Sequence, residues 1–458
     1  MAREHTLRRV RLDEIGARRA SFDDRETAEK ARAIMEAVRL GGEAALAGYA
    51  AALDGNAGRL WYGPDDFSAA LDGMPAAERR ALEAAADRIR AFARAQLSSL
   101  SALSMPVPGG MAGHDIVPIE RVGCYAPGGR FPLPSSVLMT AVPARVAGVA
   151  DLAVACPRPS AAILAACALA GADRLLAAGG AQAIAAFAYG AGPLSPRDLV
   201  VGPGNRYVAA AKLLAQAVIK TDAPAGPSEL LILADDSADP TALAWDLLAQ
   251  AEHDPDALAC LATGSERLAR DVEDALSRAL GELKAAAPGN ADNAERALAS
   301  SWLYLARAED APAAGGRGAG GLGATAAPGE LSMVERALAE AADRFCPEHL
   351  ELALAAPDRL RPLLRHAGAL FLGADSAEAF GDYGAGPNHA LPTAGRSRSS
   401  GGLSVFDFVR IRTWLRLDEL DGLAPLAADS ATLARLEGLE AHARSAEARA
   451  GGRRASDA

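Results

Sequence analysis

From about residue 115 onward, short apolar runs alternate with alanine-rich helical segments. This alternation constrains the fold more than any other feature of the chain. Leu152-Ala153-Val154-Ala155, Leu199-Val200-Val201 and Leu230-Leu231-Ile232-Leu233-Ala234 are too short to read as helices, and they lack polar residues at alternate positions. Runs of this kind suit strands buried on both faces, so the segment reads as α/β with parallel strands. Pro157 and Pro159, then Gly179-Gly180, then Gly202-Pro203-Gly204 punctuate the strand ends. Ser160 to Ala170 is apolar, yet only one short helix long, and reads as a buried helix rather than a membrane span. The 458 residues exceed what one hydrophobic core usually reaches, roughly 250–300 residues, which predicts two to four domains.

Before residue 115 the chain reads as helical. A periodic stretch runs from about 24 to 39, with Ser21 or Asp23 as its expected cap, and a second helix runs from Pro75 to about Leu100. Residues 311–329 are rich in glycine, alanine and proline and read as a flexible surface loop. Helical periodicity resumes from about 331 to 343, and the last fifty residues read as helical with a polar tail.

The net charge of −11 argues against nucleic acid or an anionic membrane as partner, since both need a basic surface. Cys124, Cys156, Cys167, Cys260 and Cys346 are widely spaced and form no CxxC pair. Neither a disulfide framework nor a thiolate zinc cluster is indicated, and a reducing cytoplasm fits best. The charged N-terminal residues carry no apolar signal core.

Four of the seven histidines sit in segments that could carry chemistry. Gln250 and His253 are three residues apart and would share a helix face, where two donors can grip one metal ion. The competing reading is a polar helix end. In Cys346-Pro347-Glu348-His349, Pro347 could open a helix and place Glu348 and His349 in its first turn. That pairs a carboxylate and an imidazole for acid–base work, or is merely a charged helix start. Asp382 and His389 lie in the nine residues Gly381–His389, a loop with three glycines and a proline, and both residue types bind metals. Glu437 and His442 would lie about 140° apart on a continuous helix, so a helix begins between them or they face different directions. Gly179-Gly180 opening a helix suits an anion, and Gly202-Pro203-Gly204-Asn205 is a further tight loop near a strand end. No GxGxxG follows a first strand, so a dinucleotide would be held differently from the usual mode.

Taken in order, these segments resemble histidinol dehydrogenases. The resemblance runs from about 115 to 445 and is carried by several stretches: Val122-Gly123-Cys124-Tyr125-Ala126-Pro127-Gly128-Gly129, Pro134-Ser135-Ser136-Val137-Leu138-Met139, Gly179-Gly180-Ala181-Gln182-Ala183, Gly202-Pro203-Gly204-Asn205 and Ala225-Gly226-Pro227-Ser228-Glu229. Gln250-Ala251-Glu252-His253, Pro347-Glu348-His349-Leu350, Gly381-Asp382-Tyr383, Asn388-His389-Ala390-Leu391-Pro392-Thr393 and Glu437-Gly438-Leu439 with His442 complete it. The resemblance implies two Rossmann-like α/β domains with open, mostly parallel sheets and small helical terminal elements. Its implied boundaries are 1–20 for an N-terminal element, 21–122 with 228–403 for a first domain, 123–227 for a second, NAD-binding domain, and 404–458 for a C-terminal helical element. It implies oxidation of an amino alcohol through the aldehyde to the acid, with two NAD and one Zn²⁺ per subunit. Gln250, His253, Asp382 and His442 would hold the zinc and also meet substrate. Tyr125, Gln182 and Asn205 would contact NAD. Ser228, His349, His389 and Glu437 would contact substrate, and Glu348 and His349 would be the catalytic pair. An intertwined homodimer is implied, with the C-terminal segment entering the partner's site.

Some positions depart from the family pattern: Cys124 and Arg130, Cys346, the 311–329 insert, and Arg396 with Arg398. The Cys-Tyr…Arg pattern resembles paralogues that oxidise a sulfonated diol, which sets a second expectation beside histidinol. An inactive homologue retained for binding is the third.

Overall fold

The structure, a computed structural model, describes residues 7–16, 24–128, 132–222, 226–312 and 331–450. Ser21, Asp23, Arg130 and nearly all of the 311–329 insert lie outside the described residues.

Two open six-stranded sheets organise the chain. In the first, the order is Arg8–Val10, Trp302–Leu305, Leu258–Thr263, Glu229–Ala234, His349–Ala353, Ala369–Leu372, all parallel. Every residue of Glu229–Ala234 is buried, as its unbroken apolar run requires. The period of two divides its side chains between layers. Leu230 and Ile232 pack under the helices Pro240–Ala251, Glu266–Ala286 and Pro288–Ser300, while Leu231 and Leu233 pack against Met333–Phe345.

In the second sheet the order is Trp61–Tyr62, Arg174–Leu176, Asp151–Ala155, Arg121–Tyr125, Leu199–Val201, Lys220–Thr221. It is parallel except for Trp61–Tyr62. Val122, Cys124, Leu152 and Val154 face the helices Pro134–Ala147 and Ala161–Ala170, and Tyr125, Ala153, Ala155 and Val200 face Gly180–Tyr189 and Arg206–Ala215. In each sheet an edge strand comes first in the sequence; the chain then enters near the middle, builds outward toward that edge and crosses over to the other side. Crevices form at such switch points.

The N-terminal helices differ from expectation in their placement. Ala31, Met35 and Val38 of Arg25–Asp54 bury against the Tyr125 face of the second sheet, and Ala86, Ile89 and Ala93 of Ala76–Leu97 bury against its Cys124 face. The expected grouping of 21–122 with 228–403 therefore does not match the packing. These apolar stripes pack alongside the helices that already flank the two faces of the second sheet. Arg8–Val10, by contrast, adds an edge strand to the first sheet. The cap of the long helix is Asp24, whose carboxylate accepts from the Thr27 N–H at 3.0 Å.

The C-terminal element is not wholly helical. Val409–Leu417 pairs antiparallel along Gly110–Pro118, which also pairs with Leu103–Val107 in a three-stranded sheet. The helices Leu420–Leu436 and Glu440–Ala450 follow, broken at Gly438 with φ +78°. Among the described residues this arm has a buried cluster of only Ala431, Ala434 and Ala443. It leaves Ile411, Leu415, Leu433, Leu436 and Leu439 exposed.

Candidate active site

The first sheet presents its amino-terminal strand ends to a cleft of about 830 Å³, shared with Pro134–Ala147 of the second unit. Ser228, His253, Glu348, His349, Asp382 and His389 all line it. Five separate segments thus converge on one space.

Glu348 and His349 are delivered differently from expectation. They do not open a helix. Met333–Phe345 ends at Cys346, which takes the left-handed conformation at φ +55°, and Pro347 cannot continue a helix. His349 instead begins the strand His349–Ala353, held between Glu229–Ala234 and Ala369–Leu372. A position at a central strand end is more rigid than a first helical turn. The Glu348 carboxylate accepts from the Ser228 hydroxyl and, at 3.1 Å, from the Glu229 N–H. Burial pushes Glu348 up to about 8 despite those bonds. Burial pushes His349 down to about 4, so its ring is neutral near pH 7. One group is thus poised to gain or lose a proton near neutrality, and the other is a free base.

The expected metal donors are partly assembled. Gln250 lies in the last turn of Pro240–Ala251, but His253 falls beyond the helix end, in the turn closed by its N–H on the Gln250 carbonyl at 3.4 Å. His253 Nε2 is 3.8 Å from Asp382 Oδ2, and His389 Nδ1 is 3.5 Å from Asp382 Oδ1. Burial raises Asp382, but the hydrogen bond and charge from His389 and the charges of His349 and His253 leave it below its ordinary value. Gln250 is fully buried, and neither its amide oxygen nor its nitrogen has a hydrogen-bond partner among the described residues. Such orphaned atoms are costly and point to a missing ligand. Glu437 and His442 are exposed on the C-terminal arm and do not line the cleft of their own chain. A helix does begin between them.

Three carboxylates escaped the sequence reading. Glu378 Oε1 is 3.3 Å from His349 Nδ1, and one ligand atom each from Glu378, His253 and Asp382 lie within 4.8 Å of one another. Both Glu378 oxygens are buried without a hydrogen bond among the described residues, and burial together with the charge of Asp382 holds its carboxyl well above the usual range. Asp246 and Glu351 form a hydrogen-bonded pair, pushed up to about 6 and about 9, in each case chiefly by burial. The spacing held the signal. Glu378 precedes Asp382 by one helical turn, Asp246 precedes Gln250 by one turn, and Glu351 shares a strand face with His349.

A second pocket of about 710 Å³ lies at the carboxyl ends of the second sheet, lined by Tyr125, Gln182 and Asn205 together with Lys30, Asp54 and Arg158. Tyr125 OH accepts from the Gly180 N–H at 3.2 Å, and burial pushes its phenol up to about 12, so it stays a neutral donor. Asn205 caps Arg206–Ala215 through its side-chain oxygen, which leaves its amide N–H₂ for a ligand. Gly202, at φ +113°, packs so closely that a Cβ there would stand 2.1 Å from the Tyr125 carbonyl oxygen. Lys30 and Asp54 come from the long N-terminal helix, whose association with this sheet the sequence did not disclose.

The departures from the family pattern also find places. Cys124 is buried in the core on the face opposite Tyr125 and lines neither pocket. Cys346 is the buried helix cap, and Arg398 donates to the Asp343 carbonyl at 2.7 Å beside it. All five cysteines are buried and none is in a disulfide. No helix among the described residues is long and apolar enough to cross a membrane.

A family profile described as histidinol dehydrogenase matches residues 17–312 and 329–450. A histidinol dehydrogenase of Thermus thermophilus is 42% identical over 451 residues, covering 94% of this chain and 97% of that protein. One from Methanopyrus kandleri is 40% identical over 446 residues, covering 94% and 96%. The crystal structure of histidinol dehydrogenase from Elizabethkingia anophelis superposes with a TM-score of 0.84 at 28% identity, covering 97% of this chain and 98% of that one.

Proposed function

The chain belongs to the histidinol dehydrogenase family, oxidoreductases of histidine biosynthesis, and on that premise we propose that it oxidises L-histidinol through L-histidinal to L-histidine with two NAD. The observation that carries this reading is the adjacent pair Glu348 and His349, buried at the cleft floor and pushed to opposite sides of neutrality.

The roles follow from that contrast. His349, neutral and buried, takes the proton of the substrate hydroxyl in the first oxidation. The aldehyde stays in the cleft, where Ser228, His389 and the walls of Pro134–Ala147 restrict its motion. Glu348, once ionised, takes a proton from water as the water adds to the aldehyde carbon. NAD, when bound, supplies the hydride acceptor for both oxidations. Tyr125, Gln182 and Asn205 are proposed to hold it, and the Rossmann-like strand order of the second sheet supports a dinucleotide there.

The donor set fits zinc. Gln250, His253 and Asp382 offer one amide oxygen, one imidazole nitrogen and one carboxylate, and the Gln250 amide makes no hydrogen bond among the described residues. Zinc would anchor the imidazole and amine of the substrate rather than generate a nucleophile. His442 completes the proposed set, and Glu437 the substrate contacts, from a partner subunit. The exposed apolar face of the arm supports this homodimer, since Ile411, Leu415, Leu433 and Leu436 would otherwise stay in water. Buried cysteines outside any disulfide fit a cytoplasmic setting.

The sulfonated-diol reading is not favoured. Cys124 faces the core rather than a ligand, and the relatives near 40% identity are histidinol dehydrogenases. The test is NADH production by zinc-replete enzyme with L-histidinol, set against sulfonated and plain diols. No turnover of L-histidinol rejects the proposal.

A further inference from the structure

Gln182 is 1% exposed, and its amide oxygen has no hydrogen-bond partner among the described residues. Its nitrogen is held: Nε2 donates to Asp54 Oδ2 at 3.0 Å. The same carboxylate oxygen accepts from the Gly179 N–H at 2.9 Å. Asp54 is the last residue of Arg25–Asp54, and Gly55 at φ +70° ends that helix. Asn56, just beyond, donates to the Ala177 carbonyl at 2.8 Å, so the helix end is tied to the strand end beside the pocket. Gln182 Oε1 lies over Gly180, 2.8 Å from where a Cβ of that residue would stand. Gly180, at φ +58°, keeps that space open.

A primary amide can present either its oxygen or its nitrogen, because the two ends have nearly the same shape. A carboxylate only accepts, so Asp54 binds the N–H₂ end and leaves the oxygen on the side of Gly180, which with Gln182 forms the pocket wall. A buried acceptor left without a donor carries a desolvation cost, which a ligand N–H or O–H removes.

We propose that Asp54 is a positioning residue for the dinucleotide: it fixes the Gln182 amide with its oxygen on the Gly180 side of the pocket wall, so that position 182 recognises a hydrogen-bond donor. Asp54 acts through Gln182 and not through its own charge. This rests on the reading that the pocket takes NAD. The donor is an amide N–H₂ or a sugar hydroxyl of that ligand.

The test is titration of the full-length protein with NADH, followed by fluorescence, which needs no turnover. D54A frees the amide to turn, and NADH affinity falls about tenfold, the scale of one hydrogen bond. D54N keeps an oxygen where both bonds are made and stays within about twofold of wild type. In the double variant D54A/Q182A the affinity equals that of Q182A alone, since the two changes remove one interaction. Should D54A fail to fold, Q182E opposes two carboxylates and loses binding, and adding D54N to it restores binding through the new amide donor. Binding by D54N as weak as by D54A assigns the effect to charge and overturns the proposal. So does a double variant about tenfold weaker than Q182A, and so does failure of D54N to rescue Q182E. Absence of NADH binding by the wild-type protein overturns instead the reading of the pocket itself.

Discussion

Glu348→Gln separates the two oxidations, because the environments of Glu348 and His349 set different pH dependences. Glu348 is raised above a free carboxyl, so its ionised form, the one that can take a proton from water, appears only as pH rises through about 8. On that value the ionised fraction is about a tenth near pH 7 and about nine tenths near pH 9, each unit being worth about 1.4 kcal/mol. The aldehyde step should therefore speed up about tenfold across that interval. His349 is lowered to about 4, so it is a neutral base throughout, and the alcohol step should be flat over the same range. Gln at 348 keeps an oxygen that can accept from Ser228 and the Glu229 N–H but abolishes the base. The aldehyde step should then fall by roughly 10²–10⁴-fold, the usual worth of a general base, and lose its pH dependence. The alcohol step should fall by far less. Stopped-flow NADH formation, with L-histidinol or L-histidinal supplied separately, reads each step. Equal loss of both steps in E348Q, or an aldehyde step in wild type that ignores pH, refutes the reasoning.

Removing a donor with Gln250→Ala, His253→Ala or Asp382→Asn should cut the zinc retained after dialysis, by metal analysis, at least about tenfold. Full retention would move the metal elsewhere. Gly202→Ala should cost about 3 kcal/mol or more in thermal or denaturant unfolding, because its Cβ would stand 2.1 Å from the Tyr125 carbonyl at φ +113°; an unchanged midpoint would contradict that geometry. Glu351, raised from 4.5 to about 9, keeps a proton in the folded state that the unfolded chain releases, so its contribution to stability is lost as pH rises through that window. The unfolding temperature of wild type should fall between about pH 6 and pH 9, and that of E351Q should fall less. Parallel curves would argue against a protonated Glu351.

Much of the architecture was legible because buried parallel strands write themselves as unbroken apolar runs. Leu230–Ala234 reads as a strand on sight, and the alanine-rich run from Ser160 to Ala170 reads as a buried helix. The second sheet's partners were not legible. Nothing in the apolar stripe of Ala31, Met35 and Val38 says which of two similar sheets it will cover. Pro347-Glu348-His349 misled for a local reason, since proline both opens helices and stops them. The preceding Cys346, in a conformation usually left to glycine, decides the matter and carries no sequence signal. The site residues were legible as a set through their resemblance, while Glu378, Glu351 and Asp246 were hidden as ordinary acidic residues at helical and strand spacing. Their chemistry comes from burial, which only the assembled fold supplies.

The C-terminal arm has a genetic consequence. If Glu437 and His442 serve the neighbouring chain, each site is assembled from two gene products. A chain damaged at Glu348 still carries a sound arm, and a chain damaged at His442 still carries a sound cleft. Expressed together, two alleles that are each silent alone would pair to give one intact site in every mixed dimer, or about a quarter of all sites under random pairing. A population carrying both alleles would grow without histidine where neither alone could.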